Sequence, residues 1–162
     1  MRKATLCFLL RERDGEPEVL LALKKQGFGQ GKWNGIGGKV RAGERVEEAA
    51  RREVAEEIGV EVGELEKVAL LTFYFIPPGS DPDWNQEVHL FLARSWRGEP
   101  GESEEMRPQW YACEDVPYGE MWADDRLWLP RVLGGERING VFTFSDAETI
   151  VHREITPWEG GS

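Results

Sequence analysis

Residues 44–58, ERVEEAARREVAEEI, leave the chain little choice but a helix. The stretch contains neither Gly nor Pro, and Glu, Ala, Arg and Val dominate it, so a helix of about fifteen residues is predicted. Gly43 is a permissible N-cap and Gly59 a natural left-handed stop. Glu44, Glu47 and Glu48 fall near the first turn, where the positive end of the helix dipole favours them. At about 100° per residue, Val46, Ala49, Ala50, Val54 and Ile58 share one broad apolar arc, and Glu53 and Glu57 fall inside it. Arg45, Glu48, Arg51, Arg52 and Ala55 take the opposite side, with Glu56 at the border.

A Glu-rich helix is ordinarily a solvated face with a few i,i+4 ion pairs, and that accounts for Glu48. It does not account for Glu53 and Glu57. Two ionised carboxylates turned toward the protein body cost roughly several kcal/mol if unpaired. A divalent cation removes that cost. Mg²⁺ or Mn²⁺ takes oxygen ligands and is usually held by a few carboxylates together with substrate phosphates. The spacing therefore predicts a phosphate-directed metal site.

The rest of the chain sets the frame. With 162 residues and 40% apolar content, one domain with a proper core is expected. A net charge of −10 opposes the basic footprint of a nonspecific nucleic-acid binder, so an anionic partner needs metal ions or local Lys and Arg. The apolar run at residues 4–10 is too short for a signal peptide or a membrane span. Cys7 and Cys113 lack metal or redox spacing, and their apolar neighbours predict buried thiols in a reducing, cytoplasmic setting. A monomer is expected.

No repeat or linker divides the sequence. Residues 3–10 and 18–24 read as a hairpin around Asp14-Gly15. A Gly-rich stretch at 27–38 leads to a short strand near Lys39 and Val40, and then to the helix. Residues 65–76 and 87–95 read as a second hairpin flanking the polar loop PPGSDPDWNQ. A strand at 109–113, a helical or irregular region at 114–134, and strands at 141–144 and 149–155 complete a domain spanning 1–156, followed by a loose tail at 157–162. Strands on both sides of one central helix predict an α+β domain with α/β/α layers.

The stretch KKQGFGQGKWNGIGGKV contains no Walker A motif and no G-x-G-x-x-G. Directly before a metal helix, Gly37 and Gly38 let backbone approach a metal or phosphate, and a carbonyl there can serve as a ligand. Lys24 can face a phosphate, and Asn34 offers a donor and an acceptor to a base edge. His89 and His152 are lone histidines on strands with no chemistry assigned.

Residues 38–60 fit G-x5-E-x7-R-E-U-x-E-E-x-G-U, with U a bulky aliphatic, at every specified position: Gly38, Glu44, Arg52, Glu53, Val54, Glu56, Glu57, Gly59 and Val60. That resembles the signature of the Nudix hydrolases. The resemblance implies a mixed sheet packed between helices. KKQGFGQGKWNGIGGKV, ESEEMRPQW and MWADDRLWLP lie outside this signature and look like stretches of the oxidised-purine nucleoside triphosphatases, the mammalian-type MutT homologues. From about Thr5 to Ile155 this similarity implies a base site read by Asn34, Asp124 and Asp125. Its walls would be Phe28, Phe73, Phe75, Met106, Trp122 and Trp128, with Thr5 near the floor. It also implies metal positions at the Gly37 carbonyl, Glu53, Glu56, Glu57 and Glu105, and an Arg52–Glu44 pair holding the helix in place. Which glutamate acts as base stays open.

On the residues alone, Phe73, Phe75 and Trp128 also suit a core, and Glu104 and Glu105 suit a solvated loop. Trp122 beside Asp124 and Asp125 in a loop has little structural purpose. Two segments depart from the resembled pattern: the loop at 77–86, longer and carrying Trp84, and an extended first turn at 14–18.

The implied reaction is Mg²⁺-dependent hydrolysis of an oxidised purine nucleoside triphosphate, with Mn²⁺ as a substitute, to the monophosphate and pyrophosphate. Three alternatives stand beside it. They are a Nudix hydrolase of another diphosphate (a nucleotide sugar, a dinucleoside polyphosphate or a capped RNA end), a noncatalytic nucleotide-sensing or protein-interaction module, and a structural helical protein with a chance match. The full carboxylate set weighs against a pure binder, and the inward placement of Glu53 and Glu57 weighs against a chance match.

Overall fold

Eleven strands and two helices follow one another along the chain in a computed structural model that describes residues 1–76 and 84–158. In order they are β1 (Arg2–Arg13), β2 (Glu16–Lys24), β3 (Trp33–Asn34), β4 (Ile36–Lys39), α1 (Val46–Ile58), β5 (Glu61–Val62), β6 (Leu65–Phe75), β7 (Gln86–Ala93), β8 (Trp96–Arg97), β9 (Met106–Ala112), α2 (Asp125–Leu133), β10 (Ile138–Phe144) and β11 (Ile150–Pro157). Most of the loop at 77–86 and the last four tail positions lie outside the described residues.

The first turn is shorter than the sequence suggested. Asp14 and Gly15 both take positive φ, at 53° and 81°, so a two-residue turn joins Arg13 to its partner Glu16. The extra residues around it lengthen the strands instead.

The main sheet runs β11-β10-β6-β7-β1-β2-β3, with β4 pairing onto β1 and β9 onto β2. β1 with β7 and β10 with β6 are parallel and the other pairs antiparallel, which makes the sheet mixed. Its two faces are covered by different helices. Alternation along β1 sends Ala4 and Phe8 into one core with Trp128, Leu129 and Val132 of α2. Cys7 and Leu9 enter a second core with Ala50, Val54 and Ile58 of α1. Each fully buried Phe or Leu contributes about 1.5–3 kcal/mol relative to exposure, so both helices are held by their apolar faces. The α/β/α layering predicted from sequence is the one observed.

Helix α1 begins later than expected. Its N-cap is Arg45, whose N–H donates to Glu48 Oε1 at 3.2 Å. Gly43, at φ +78°, belongs to the preceding turn, where Glu44 Oε1 accepts the Arg41 N–H at 3.0 Å. Glu44 is therefore fixed beside the helix rather than in its first turn. Gly59 ends α1 as predicted, at φ +72°, donating its N–H to Ala55 O.

Other boundaries also move. β4 starts at Ile36 because Gly37 and Gly38 pair with Leu6 and Thr5 of β1. β9 starts at Met106, three residues before the expected strand. Region 114–134 resolves into two short 3-10 turns, Cys113–Asp115 and Tyr118–Glu120, followed by α2. Thr156 and Pro157 pair with Asn139 and Ile138, and Trp158 donates to Arg137 O. The tail expected from 157 is thus fastened through Trp158. Cys7 is buried, which pushes its thiol up to about 12, and Cys113 is half-buried; both are free. Among the described residues no helix is long and apolar enough to cross a membrane.

Candidate active site

Three carboxylates from α1 meet a loop at one edge of the sheet. Glu53, Glu56 and Glu57 line a cleft of about 350 Å³ with Ser103, Glu104 and Glu105. A tight turn fixes the loop: Ser103 N–H donates to Met106 O, and Met106 N–H donates back to Ser103 Oγ. Lys25 N–H also holds the Glu105 carbonyl at 2.8 Å. Glu104 and Glu105, which suited a solvated loop on sequence alone, are brought to the helix carboxylates.

Arg52 organises this edge. Its Nε and Nη2 donate to the two oxygens of Glu44 at 2.8 and 3.0 Å, and Nη2 also reaches Lys39 O at 3.0 Å. Nη1 donates to Glu53 Oε1 at 2.8 Å and to Glu56 Oε2 at 3.3 Å. The helical wheel had put Arg52 away from Glu53. Its long side chain instead bends back over the carboxylates, because their charge attracts it. The Arg52 guanidinium, then the Arg41 N–H, pull the Glu44 carboxyl down to about 2.

Glu57 is shifted the other way. Burial, then the neighbouring Glu53 carboxylate and more distantly Glu105, push it up to about 8, while Lys24 opposes the rise. Its Oε2 is buried without a hydrogen-bond partner. A Cβ on Gly38 would stand 2.6 Å from Glu53 Oε1, so only glycine leaves that carboxylate room. Among the described residues no three acidic, His or Cys groups converge as a ready-made cage, and Arg52 holds Glu53 and Glu56. An unpartnered buried carboxylate oxygen among oxygen donors nevertheless fits a hard divalent cation.

A second, mostly apolar pocket of about 250 Å³ opens beside the cleft. All of the expected substrate-binding residues line it: Thr5, Lys24, Phe28, Asn34, Phe73, Phe75, Met106, Trp122, Asp124, Asp125 and Trp128. Gly37 and Gly38 lie in its wall, Gly38 directly against the Glu53 carboxylate, whereas Gly37 is not among the residues that line the acidic cleft. Phe28 is 78% exposed and stacks on Trp122 with centroids 5.2 Å apart. Phe73 stacks on Phe142 and Phe75 on Phe144, so each is both core and wall. Trp128 likewise combines full burial with a place in the wall. Thr5 Oγ1 is buried and unpartnered, and Asn34 Oδ1 accepts the Gly35 N–H, leaving the Asn34 amide N–H groups for another acceptor.

Asp124 and Asp125 are not in a loop. They cap and begin α2, with 4% and 2% exposure. Asp124 Oδ2 accepts the Trp128 indole N–H at 2.7 Å, and Asp125 Oδ2 accepts the Trp122 backbone N–H at 3.1 Å. Burial raises Asp124 to about 6 and lifts Asp125 well above the usual carboxylate range, where the charge of Asp124 adds to the rise.

Lys32, Phe144 and Ala147 also line the pocket and were missed in the sequence. Phe144 sits where the strand pattern could have marked it, since it follows Phe142 at period two. Lys32 carries no sequence signal beyond its place in a Gly-rich stretch.

The comparisons with known proteins converge. The NUDIX domain family model matches residues 1–132. The oxidized purine nucleoside triphosphate hydrolase of Danio rerio is 48% identical over 137 residues, covering 85% of each chain. That of Mus musculus is 45% identical over 133 residues, covering 82% of this chain and 83% of the relative. A mutator MutT protein from Bacillus halodurans superposes with a TM-score of 0.78 over 96% of this chain and 97% of its own, at 24% identity, a likeness of fold.

Proposed function

The chain belongs to the NUDIX domain family, and from that premise we propose that it hydrolyses oxidised purine nucleoside triphosphates to the monophosphate and pyrophosphate, using Mg²⁺ with Mn²⁺ as a substitute. Relatives at 48% and 45% identity are named oxidized purine nucleoside triphosphate hydrolases. One observation carries the reading to this chain: a base-sized pocket with a buried Asp pair adjoins a cleft of glutamates on the family's helix.

Glu53, Glu56, Glu57, Glu105 and the Gly37 carbonyl would hold a divalent cation, which would neutralise phosphate oxygens and lower the pKa of bound water. Arg52, tied to Glu44 and Lys39 O, orients Glu53 and Glu56. A glutamate of this set accepts the proton of the attacking water, and Glu57, with a free oxygen, is one candidate among them. Lys24 faces the phosphates.

The base end is selected by hydrogen bonding. Raised affinity for protons lets the Asp124–Asp125 pair keep one proton at neutral pH, presenting one donor and one acceptor. Moving that proton matches the pair to different oxidised purines. A normal purine leaves a buried group unpaired and is rejected without a steric gate. Asn34 reads a further edge, while Phe28 and Trp122 cover the ring.

Product analysis over a panel of nucleotides tests this reading, with monophosphate and pyrophosphate as the products of a triphosphate, and two phosphorylated fragments without free pyrophosphate as the products of the other compounds. The panel contains 8-oxo-dGTP, 2-hydroxy-dATP, dGTP, a nucleotide sugar, a dinucleoside polyphosphate and capped RNA. Preference for the two oxidised purines is expected. Faster turnover of any of the last three would transfer the assignment to that diphosphate, and no turnover of any would favour a binding module.

A further inference from the structure

Two lysines, Lys24 and Lys32, line the base pocket. Lys24 acts on Glu57, at the catalytic edge. Lys32 acts on Asp125, at the base edge. The Lys32 Nζ sits 5.0 Å from the centroid of the Trp122 ring, on which Phe28 also stacks. Its backbone is pinned on both sides, because its N–H donates to Gly29 O at 3.0 Å and its carbonyl accepts the Lys24 N–H at 3.1 Å. The backbone of the same Trp122 donates to Asp125 Oδ2. One residue thus joins the ammonium to the carboxylate pair.

We propose that Lys32 is a specificity-determining residue of the base pocket: its ammonium, seated over Trp122, holds negative charge on the Asp124–Asp125 pair and so sets which hydrogen-bonding pattern the pocket presents at neutral pH. The proposal rests on the reading that this pair recognises the base. The other groups around the pair do not supply a positive charge in its place. Asp124 meets the neutral Trp128 indole. Tyr118, from the preceding 3-10 turn, faces Asp125 with a hydroxyl that burial pushes up to about 12, so it stays neutral. Arg126 on α2 turns its guanidinium to the Tyr118 carbonyl, at 3.4 Å. Both aspartates are lifted by burial, and among the causes acting on Asp125 only the Trp122 N–H and Lys32 oppose the rise.

The test uses Lys32→Met, which keeps an apolar stem over Trp122, and Lys32→Arg, which keeps the charge. Carboxyl ¹³C NMR titration of the ligand-free protein, assigned with Asp124→Asn and Asp125→Asn, reads the pair directly. In Lys32→Met its midpoint should rise by about half a pH unit or more. The pH at which kcat/KM for 8-oxo-dGTP and 2-hydroxy-dATP change rank should move the same way, and Lys32→Arg should restore both. An unmoved carboxyl midpoint in Lys32→Met overturns the proposal whatever happens to turnover, because Lys32 is then only packing. A moved midpoint with an unmoved lesion ratio also overturns it. The aspartate variants separate the two failures: if they too leave the lesion ratio untouched, base reading by the pair is wrong, and if they change it, only the role of Lys32 is.

Discussion

Arg52 and Glu44, eight residues apart, close on each other through two parallel hydrogen bonds of 2.8 and 3.0 Å. Glu44 lies outside α1 and Arg52 inside it, so the pair ties the helix to the turn before it. The same guanidinium reaches Glu53 and Glu56, which makes it a jig for the carboxylates of the acidic cleft.

Arg52→Ala should therefore lower kcat by about 10–100-fold, the usual cost of losing a residue that orients metal ligands. The KM for substrate should change little. Steady-state kinetics with metal titration checks this, and a large rise in KM at constant kcat would indicate lost substrate binding instead.

Glu57→Gln is nearly isosteric and should fold, yet it removes a negative ligand and a candidate base. A turnover loss of about 10²–10⁴-fold is expected. Glu48→Gln is the control. Its amide oxygen can still accept the Arg45 N–H, so the cap survives and activity should hold. Turnover by Glu57→Gln near the parent rate would remove Glu57 from the site.

The metal-free protein should lose stability as pH rises from about 4.5 to 8. Burial and the Glu53 carboxylate keep Glu57 protonated in the fold until about 8, whereas in the unfolded chain it ionises near the ordinary glutamate value of 4.5. Between those values the folded state binds more protons, so the slope of stability against pH is negative. Melting temperatures in chelator across this window should fall, and Glu57→Gln should flatten the fall. Glu44 works in the opposite sense. Its carboxyl is held near 2, so the Arg52 pair supports the fold above 4.5 and lets go only as pH drops toward 2.

Asp124→Asn and Asp125→Asn should each lose selectivity, and unequally between 8-oxo-dGTP and 2-hydroxy-dATP, because each fixes a different member of the pair as neutral. Metal affinity should stay unchanged. Values of kcat/KM for both lesions and dGTP across pH read the effect, and a uniform loss on all three would mean that the pair shapes the start of α2 without reading the base.

Gly38→Ala should fold but turn over poorly. The added Cβ would meet Glu53 Oε1 at 2.6 Å, and the end of a side chain can yield where backbone cannot. At Gly37 the obstacle is the Thr5 backbone carbonyl, so Gly37→Ala should lower the melting temperature as well. Thermal melts beside activity assays distinguish the two.

Much of this was legible in the sequence because the signals were local. Helix α1 announces itself through composition and through Gly59, and Asp14-Gly15 marks its hairpin. The inward turn of Glu53 and Glu57 follows from the helical period alone. What the sequence hid depends on contacts made at a distance. Arg45 displaces Gly43 as cap because Glu44 is drawn to Arg52 and the Arg41 N–H, a preference no propensity contains. Asp124 and Asp125 read as loop residues because Pro130 and the short length of α2 weaken its helical pattern. β11 reaches Pro157 because β10 offers it a partner, and Lys32 matters only once folding sets it over Trp122.

The two cores on either face of the sheet have a consequence for how such an enzyme can vary. The base pocket draws Phe73, Val88, Trp128 and Phe144 from the core beneath α2, whereas the glutamates ride on α1, anchored in the other. The pocket and the glutamates therefore rest largely on different cores, with Ala22 and Met106 of the core beneath α1 also reaching the pocket wall. Substitutions in the part of the pocket wall that belongs to the core beneath α2 can reshape that wall without disturbing the packing that holds the glutamates of α1.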